Sequence, residues 1–192
     1  VVLPAAAATT RWVAWTVRHT SGYLCAPMPA DRAEALELPP MVARSQDPRG
    51  TAYTVSVDAA TGVGTGISAA DRARTLRVLA AASTSPSDLI RPGHVLPLRA
   101  VPGGVLQRPG HTEAAVDLAR LAGIGEVGAI AELVEDDGTM TRRHQAASLA
   151  ARHQLVLLTI GDLVAYRRAV DPWAPHMERR DTPAPRNEEE YP

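Results

Sequence analysis

Short apolar runs alternate with longer amphipathic stretches along most of this chain. The apolar runs predict strands over residues 22–26, 51–58, 127–134 and 155–160. The amphipathic stretches predict helices over 9–19, 69–82, 112–122, 145–153 and 162–170. Several of these helices have a capping residue at their start, namely Ser68, Thr112 and Asp162. The alternation is typical of an α/β (α+β) sandwich.

The last 22 of the 192 residues differ in composition from the rest of the chain. They contain five prolines and a run of three glutamates, with few apolar side chains that could pack into a core. We therefore expect one domain over residues 1–170 and a flexible tail over 171–192. A chain of this length can bury a core without disulfides or metals.

The absence of one residue type excludes two classes of chemistry. All twenty basic residues are arginine, so the chain has no lysine for a Walker phosphate loop or for a Schiff base with pyridoxal phosphate. The single cysteine, Cys25, also excludes a disulfide framework and a dithiol redox pair within the chain. This cysteine usage is typical of a reducing compartment, and we expect a cytoplasmic protein.

Charge and hydropathy argue against two kinds of partner. The net charge is −1 and the arginines are mixed with acids, so we expect no nucleic-acid partner. The longest apolar stretch, residues 155–160, is too short for a membrane span, so we expect no membrane association. The first residue is valine and not methionine, which is a hint that residues precede it.

Two glycine patterns invite a cofactor interpretation. Residues 123–128 match the dinucleotide fingerprint as a string, but they follow a predicted helix and precede a strand, the reverse of the required order. We interpret them as a helix end and a turn. Residues 62–66 do lie between a strand and a helix, and there a phosphate-approaching loop and a plain turn both remain open.

Two histidines occur in similar settings, Arg91-Pro-Gly-His94 and Arg108-Pro-Gly-His111. Each setting places a guanidinium three residues before an imidazole on a rigid turn, which suits an anionic, oxygen-rich ligand. A loop histidine bonded to backbone is the alternative for each. His111 also stands at a predicted helix start, where backbone amides favour anions.

Three further sites carry candidate groups. Glu132 lies within an apolar predicted strand, where a carboxylate is expected to be partnered or catalytic unless the strand turns it to solvent. Asp136-Asp137-Gly138 predicts a turn, with metal or substrate contact as the alternative. Cys25 is a buried small apolar residue or a lining residue of the site.

Seven collinear blocks identify a family resemblance that covers roughly residues 1–168. The blocks are Arg18-His-Thr-Ser-Gly-Tyr-Leu-Cys25, Leu38-Pro-Pro-Met41, Gly50-Thr-Ala-Tyr-Thr-Val-Ser-Val-Asp58, Thr65-Gly-Ile-Ser-Ala-Ala-Asp-Arg72, Arg91-Pro-Gly-His94, Gly110-His-Thr-Glu-Ala-Ala-Val-Asp-Leu118 and Asp136-Asp-Gly-Thr-Met140. Together they resemble 3,4-dihydroxy-2-butanone 4-phosphate synthase. The resemblance implies an α/β homodimer that uses magnesium to convert ribulose 5-phosphate into a four-carbon riboflavin precursor, with C4 lost as formate.

The resemblance also implies roles for individual residues. His94 and Glu132 fall at catalytic positions, and His111 at a metal-ligand position. The residues implied to hold the phosphorylated substrate or to line its pocket are Arg108, His111, Thr112, Cys25, Thr65 and Asp58. Enolisation of a ketose phosphate requires a base and a Lewis acid, and the later rearrangement requires proton transfers in a shielded site.

One part of the family pattern has no match in this chain. Members carry an acidic loop, roughly Arg-Glu-Asn-Glu-Gly-Asp, just before the segment equivalent to residues 1–8, and it supplies a second metal ligand and a base. Three hypotheses therefore stand: the parent lyase, a divergent enzyme that runs a different and metal-independent reaction in a specialised pathway, and a non-catalytic binding homologue. Retention of His94, His111 and Glu132 favours catalysis.

Overall fold

A five-stranded mixed sheet forms the centre of the structure, a computed structural model that describes residues 1–170. In chain order the strands are β1 (Val2–Pro4), β2 (Cys25–Pro29), β3 (Val57–Ala59), β4 (Leu89–Ala100) and β5 (Gly128–Ile130). Their order across the sheet is β1-β5-β2-β4-β3. Strands β2 and β4 are parallel, and the other neighbours are antiparallel. The predicted tail over 171–192 lies outside the described residues.

Six α-helices accompany the sheet within residues 1–170. They are α1 (Thr10–His19), α2 (Ala30–Ala35), α3 (Ala69–Ala80), α4 (His111–Leu121), α5 (Arg143–His153) and α6 (Ile160–Val170). Within the described residues, none of these helices combines the length and the apolar character needed to cross a bilayer.

Helices cover both faces of the sheet. Successive strand residues point to opposite faces, and in β5 Ala129 lies in the main core whereas Gly128 approaches Ala115 of α4. Val13 of α1 and Leu76 of α3 belong to that same main core. Helix α4 therefore packs on one face, and α1 and α3 pack on the other, which confirms the predicted α+β sandwich.

Strand β4 contains the segment that the sequence suggested to be a loop. Val57 pairs with Val95, but the next residue of β3, Asp58, pairs with Ile90, so residues 91–94 bulge out of the ladder. Gly93 lies so close to the backbone of Val57 that a side chain would collide with it. The bulge re-aims this part of the strand, as bulges do near binding sites.

The predicted strands were partly wrong. Residues 155–159 form no strand, and Val156 is 81% exposed, because this apolar run has no sheet neighbour in the described chain and α6 begins at Ile160. The other three predicted strands are shorter or shifted, and segment 51–58 contributes only isolated bridges before β3. Strands β1 and β4 and helix α2 were not predicted, and β4 escaped prediction because Pro92, Gly93 and Pro97 interrupt its strand pattern.

Helix ends were predicted with mixed success. The Ser68 hydroxyl accepts from the amide of Asp71 at the start of α3, so that cap is confirmed. Thr112 is not a cap, because α4 already begins at His111. Asp162 is not the residue that precedes α6 either, because the helix begins at Ile160 and Thr159 stands before it. Thr159 and Asp162 exchange hydrogen bonds across this first turn. Residues 123–127 lie between the end of α4 and β5, and Gly128 is the first residue of β5, which confirms the interpretation of this segment as a helix end and turn.

Candidate active site

The bulge in β4 brings His94 against Asp58 of β3. The backbone amide of His94 donates to Oδ1 of Asp58 at 2.9 Å, and its ring Nδ1 lies 2.7 Å from Oδ2. A carboxylate can only accept, so Nδ1 carries the proton of a neutral ring and Nε2 is left as the basic nitrogen. The His94 side chain is 40% exposed and that of Asp58 only 10%. Asp58 therefore orients an imidazole that still reaches solvent.

The glycine loop after β3 packs directly against this pair. A side chain at Gly66 would collide with the Asp58 carboxylate and would lie 2.6 Å from Nδ1 of His94. The amides of Gly64 and Gly66 both donate to the carboxylate of Asp71, which lowers the pKa of Asp71. These two amides are therefore not free for a phosphate, and the plain-turn interpretation fits them. Thr65 lies between them and is exposed beside the pair.

Glu132 lies beyond the end of β5 and not within a strand, which corrects the sequence interpretation. It is exposed, as the solvent-facing alternative expected, yet its position is fixed. The Ser21 hydroxyl donates to Oε2 of Glu132 at 3.0 Å, and the Ser21 amide donates to the Glu132 carbonyl at 2.9 Å. The sequence did not predict a role for Ser21, because a lone serine in a glycine turn carries no distinctive signal.

Cys25 is buried, with 2% of its surface exposed. Burial, with a smaller contribution from the negative charge of Glu132, raises the pKa of the Cys25 thiol to about 12. The thiol donates weakly to the carbonyl of Tyr23 at 3.8 Å. Cys25 is thus an un-ionised thiol beside Glu132, which fits both a small apolar residue and a wall of the pocket.

This environment predicts slow thiol chemistry. A free thiol ionises near pH 8.5, and only the thiolate reacts with alkylating reagents. We expect native Cys25 to react with iodoacetamide at least about 100-fold more slowly at pH 8 than in the guanidinium-denatured chain. Its rate should keep rising with pH beyond 10, whereas the denatured control levels off. A native rate that levels off near pH 8.5 would contradict the burial of this thiol. Because the chain has one cysteine, the measured rate of alkylation belongs to Cys25.

His111 is the first residue of α4. Although the residue keeps an exposed side, neighbouring atoms desolvate its ring and lower its pKa below the ordinary value. The positive charges of Arg49 and Arg108 act in the same direction, and the negative charge of Glu132 opposes them. At neutral pH the ring is therefore uncharged, which leaves a nitrogen able to bind a metal or to accept a hydrogen bond.

Arg108 has a structural partner that the sequence did not reveal. Its Nη1 lies 2.6 Å from Oε2 of the buried Glu113, and its Nη2 donates to the Arg49 carbonyl at 3.0 Å. Glu113 also accepts from the amide of Val101. Glu113 therefore anchors the guanidinium of Arg108. Thr112 beside it is only 5% exposed.

The acidic pair at 136–137 forms the predicted turn. Oδ1 of Asp137 accepts from both the amide and the hydroxyl of Thr139, and Gly138 adopts a positive φ of 85°. Among the described residues, no three histidine, cysteine or acidic side chains lie close enough together to hold a metal ion.

Comparison with known proteins identifies relatives along nearly the whole described region. The family model of 3,4-dihydroxy-2-butanone 4-phosphate synthase matches residues 1–166. The riboflavin biosynthesis protein RibBA of Salinispora arenicola is 60% identical over 171 residues, which are 89% of this chain and 41% of that protein. RibBA of Nocardia farcinica is 54% identical over 88% of this chain and 41% of its own length. The chain thus spans about two-fifths of these curated relatives.

Solved structures give the same result. A 3,4-dihydroxy-2-butanone 4-phosphate synthase in complex with two magnesium ions is 48% identical, with a TM-score of 0.85, over 88% of this chain and 84% of that one. The synthase of Candida albicans is also 48% identical, with a TM-score of 0.82, over 86% of this chain and 82% of that one. Sequence and fold agree along the same residues, and the chain belongs to the 3,4-dihydroxy-2-butanone 4-phosphate synthase family.

Proposed function

We propose that the chain converts ribulose 5-phosphate into 3,4-dihydroxy-2-butanone 4-phosphate and formate, as a lyase of riboflavin biosynthesis. Residues 1–170 form the catalytic domain in this proposal. Membership in the family supports it, and so does the geometry around β2. Release of formate from ribulose 5-phosphate is the reaction that tests it.

The observation that carries the proposal is the register of the sheet. Cys25 of β2 pairs with Leu96 of β4 on one side and with Ile130 of β5 on the other. His94 lies two residues before Leu96, and Glu132 lies two residues after Ile130. Because β4 runs parallel to β2 and β5 runs antiparallel, both residues reach the same end of β2. Two strand spacings separate them by about 10 Å at the backbone, a gap that a pentulose phosphate can bridge.

His94 and Glu132 can then move protons on opposite sides of the sugar. Enolisation takes a proton from the carbon next to the ketone, and the later steps return protons to carbon and oxygen. The Glu132 carboxylate, held by Ser21, is one proton acceptor. The exposed Nε2 of His94, with Nδ1 fixed by Asp58, is a second group that can accept or donate.

The remaining candidates hold the substrate in this proposal. Arg108 is kept in place by Glu113 and supplies positive charge for the phosphate, while His111 and Thr112 contact its oxygens. Thr65 contacts the sugar beside the Asp58–His94 pair, and Cys25 closes the pocket next to Glu132. Each of these substrate contacts is a proposal, supported by the family match over residues 1–166, which include all of these positions.

Magnesium is the cofactor that we propose, since a solved relative contains two magnesium ions. The described residues do not form a magnesium site alone, because no group of three ligating side chains forms among them and the ion prefers six oxygen ligands. We therefore propose that substrate oxygens complete the coordination beside His111.

Magnesium binding without substrate should then be weak. We expect calorimetry of the apo protein with magnesium chloride to give a dissociation constant no tighter than about millimolar, because the ion keeps most of its water. His111→Ala is the matched variant. A tight, stoichiometric site that disappears in His111→Ala would contradict this expectation and would show that a further carboxylate completes the site.

Gly66 provides a test of the Asp58–His94 geometry. A methyl group at Gly66 would push the two side chains apart, and its φ of 87° disfavours any side chain. We expect Gly66→Ala to lower kcat/KM for formate release on the order of 100-fold. Gly64→Ala is the matched control in the same loop, because its methyl group would meet nothing closer than 3.7 Å. Equal rates in the two variants would contradict the proposed role of the pair.

We further propose a cytoplasmic homodimer that takes a phosphorylated small molecule and has no nucleic-acid or membrane partner. The charge distribution and the single cysteine support the location and the absence of a polyanionic partner. Sandwiches of this size often bury one face against a second copy. Sedimentation at micromolar concentration should give a dimer, and a monomer alone would contradict the proposal.

A further inference from the structure

Arg91, the first residue of the bulge in β4, has its guanidinium turned into the protein. Its Nη1 donates to the carbonyls of Pro86 and Leu89, at 3.1 Å in each case, and its Nη2 donates to the carbonyl of Leu36. Its Nε is buried and has no hydrogen-bond partner among the described residues. The sequence suggested an anionic ligand for this guanidinium, and in the structure it binds backbone carbonyls instead.

The three carbonyls belong to three different segments. Leu36 directly follows α2 and is fully buried, Pro86 begins a short 3-10 turn, and Leu89 is the first residue of β4. The last carbonyls of a helix have no partner within the helix and need one from elsewhere. A planar guanidinium can donate to several carbonyls in fixed directions. Arg91 therefore joins the start of the bulge to α2 and to the turn before β4.

Side chains from the segment of β3 hold the other end of the bulge. The amide of Gly93 donates to the Ser56 hydroxyl at 3.1 Å, and the amide of His94 donates to Oδ1 of Asp58 at 2.9 Å. These bonds satisfy backbone donors that the bulge takes out of the ladder. The bulge is thus fixed at its first residue by the Arg91 side chain and at its last two residues by Ser56 and Asp58.

We propose that Arg91 is a positioning residue for His94. The guanidinium fixes the first residue of the bulge, the backbone of the bulge carries that position to His94 three residues later, and Asp58 then orients the imidazole. The catalytic part of this inference rests on the proposed function, whereas the effect on the shape of the bulge does not.

The first test needs no substrate and measures amide hydrogen exchange by NMR. We expect Arg91→Ala to raise the exchange rates of the Gly93 and His94 amides at least about tenfold, because the bulge opens more easily once its first residue is released. Arg91→Lys should act in the same direction, since an ammonium is a compact point donor and cannot replace the planar guanidinium. This variant carries the test if Arg91→Ala does not fold.

The matched control is Arg32→Ala. Arg32 is a half-buried arginine of α2 whose guanidinium also donates to backbone carbonyls, those of Leu79 and Ala81 at the end of α3. Its substitution should leave the exchange of the Gly93 and His94 amides unchanged. Wild-type exchange of these two amides in the folded Arg91 variants would overturn the inference. So would an equal increase in Arg32→Ala.

The second test separates catalysis from binding. We expect Arg91→Ala to lower kcat for formate release on the order of 100-fold with little change in KM, because a misplaced catalytic group slows chemistry more than binding. Arg32→Ala should leave both constants unchanged. A guanidinium that bound the substrate would give the opposite pattern, a raised KM with kcat retained, and that result would overturn the inference.

Chemical rescue distinguishes positioning from a general loss of stability. Guanidinium chloride, at concentrations far below those that denature the protein, should raise kcat of Arg91→Ala at least about tenfold, because free guanidinium can donate to the same carbonyls. Sodium chloride at the same concentration should have no such effect. A variant that is only destabilised would lose activity in guanidinium, and such a loss would overturn the inference.

The exchange and kinetic measurements separate two kinds of failure. If wild-type protein releases no formate, the proposed function fails, and the exchange of the Gly93 and His94 amides still decides whether Arg91 holds the bulge. If formate is released but neither amide exchange nor kcat responds to the Arg91 substitutions, the inference fails and the proposed function stands.

Discussion

Glu132→Gln should reduce kcat for formate release by about 100- to 10,000-fold. Glutamine has the shape of glutamate, and its amide oxygen can still accept from the Ser21 hydroxyl, so the turn around residue 132 should keep its form. The substitution removes the negative charge and, with it, the capacity to accept a proton, and the contribution of such a proton acceptor to a rate is typically of this size. Formate measured by NMR, with circular dichroism as the check on folding, gives the result.

The control for this substitution is Glu126→Gln. Glu126 precedes β5, is exposed and pairs with the exposed Arg120, so its loss should leave kcat within about twofold. If Glu132→Gln matched Glu126→Gln in rate, Glu132 would have no place in the proton transfers. A large loss of secondary structure in Glu132→Gln would instead show that its hydrogen bond with Ser21 is structural.

His94→Asn should cause a loss of similar size. The asparagine amide can replace Nδ1 as the donor to Asp58, so the bulge in β4 should survive, but it cannot take up or release a proton at neutral pH. We expect kcat to fall by about 100- to 10,000-fold while the midpoint of thermal unfolding changes little.

His144→Asn is the matched control for His94. His144 is an exposed residue of α5, and it enters the hydrogen-bond pattern through its backbone carbonyl, which accepts from Ser148. Its substitution should leave kcat unchanged. Turnover in His94→Asn within about threefold of wild type would remove His94 from the mechanism and leave the Asp58–His94 pair as a structural contact.

The sequence could predict what depends on local pattern. Helices α1, α3 and α4 were predicted to within a few residues, because their apolar spacing and the Ser68 cap act over short distances along the chain. The mixed α+β class followed from the alternation of such segments. His94 and His111 were singled out because proline and glycine frame them, and their frames also carry the family blocks.

Long-range pairing could not be read in this way. Pro92, Gly93 and Pro97 interrupt the strand pattern of β4 in the sequence. These residues belong to the sheet because β4 pairs with β2 and β3. The partnership of His94 with Asp58 depends on the bulge in that strand. For residues 155–159 the error was the reverse: a strand was predicted and none forms. Apolar composition favours a strand, but a strand also needs a neighbour to pair with.

The candidate site also depends on long-range contacts that the sequence could not predict. The ion pair between Arg108 and Glu113 and the contact of Ser21 with Glu132 join residues whose types are common on any surface. Such partners are found by three-dimensional proximity, which a single sequence encodes only through the whole fold.

The most direct test of the proposed function follows one carbon atom. Purified protein is incubated with magnesium and ribulose 5-phosphate labelled with ¹³C at C4, and the reaction is followed by ¹³C NMR, with Glu132→Gln in parallel. We predict labelled formate and an unlabelled four-carbon phosphate from the wild type, and unchanged substrate with the variant. Label retained in a five-carbon product, or bound substrate that is never converted, would contradict the proposed lyase reaction.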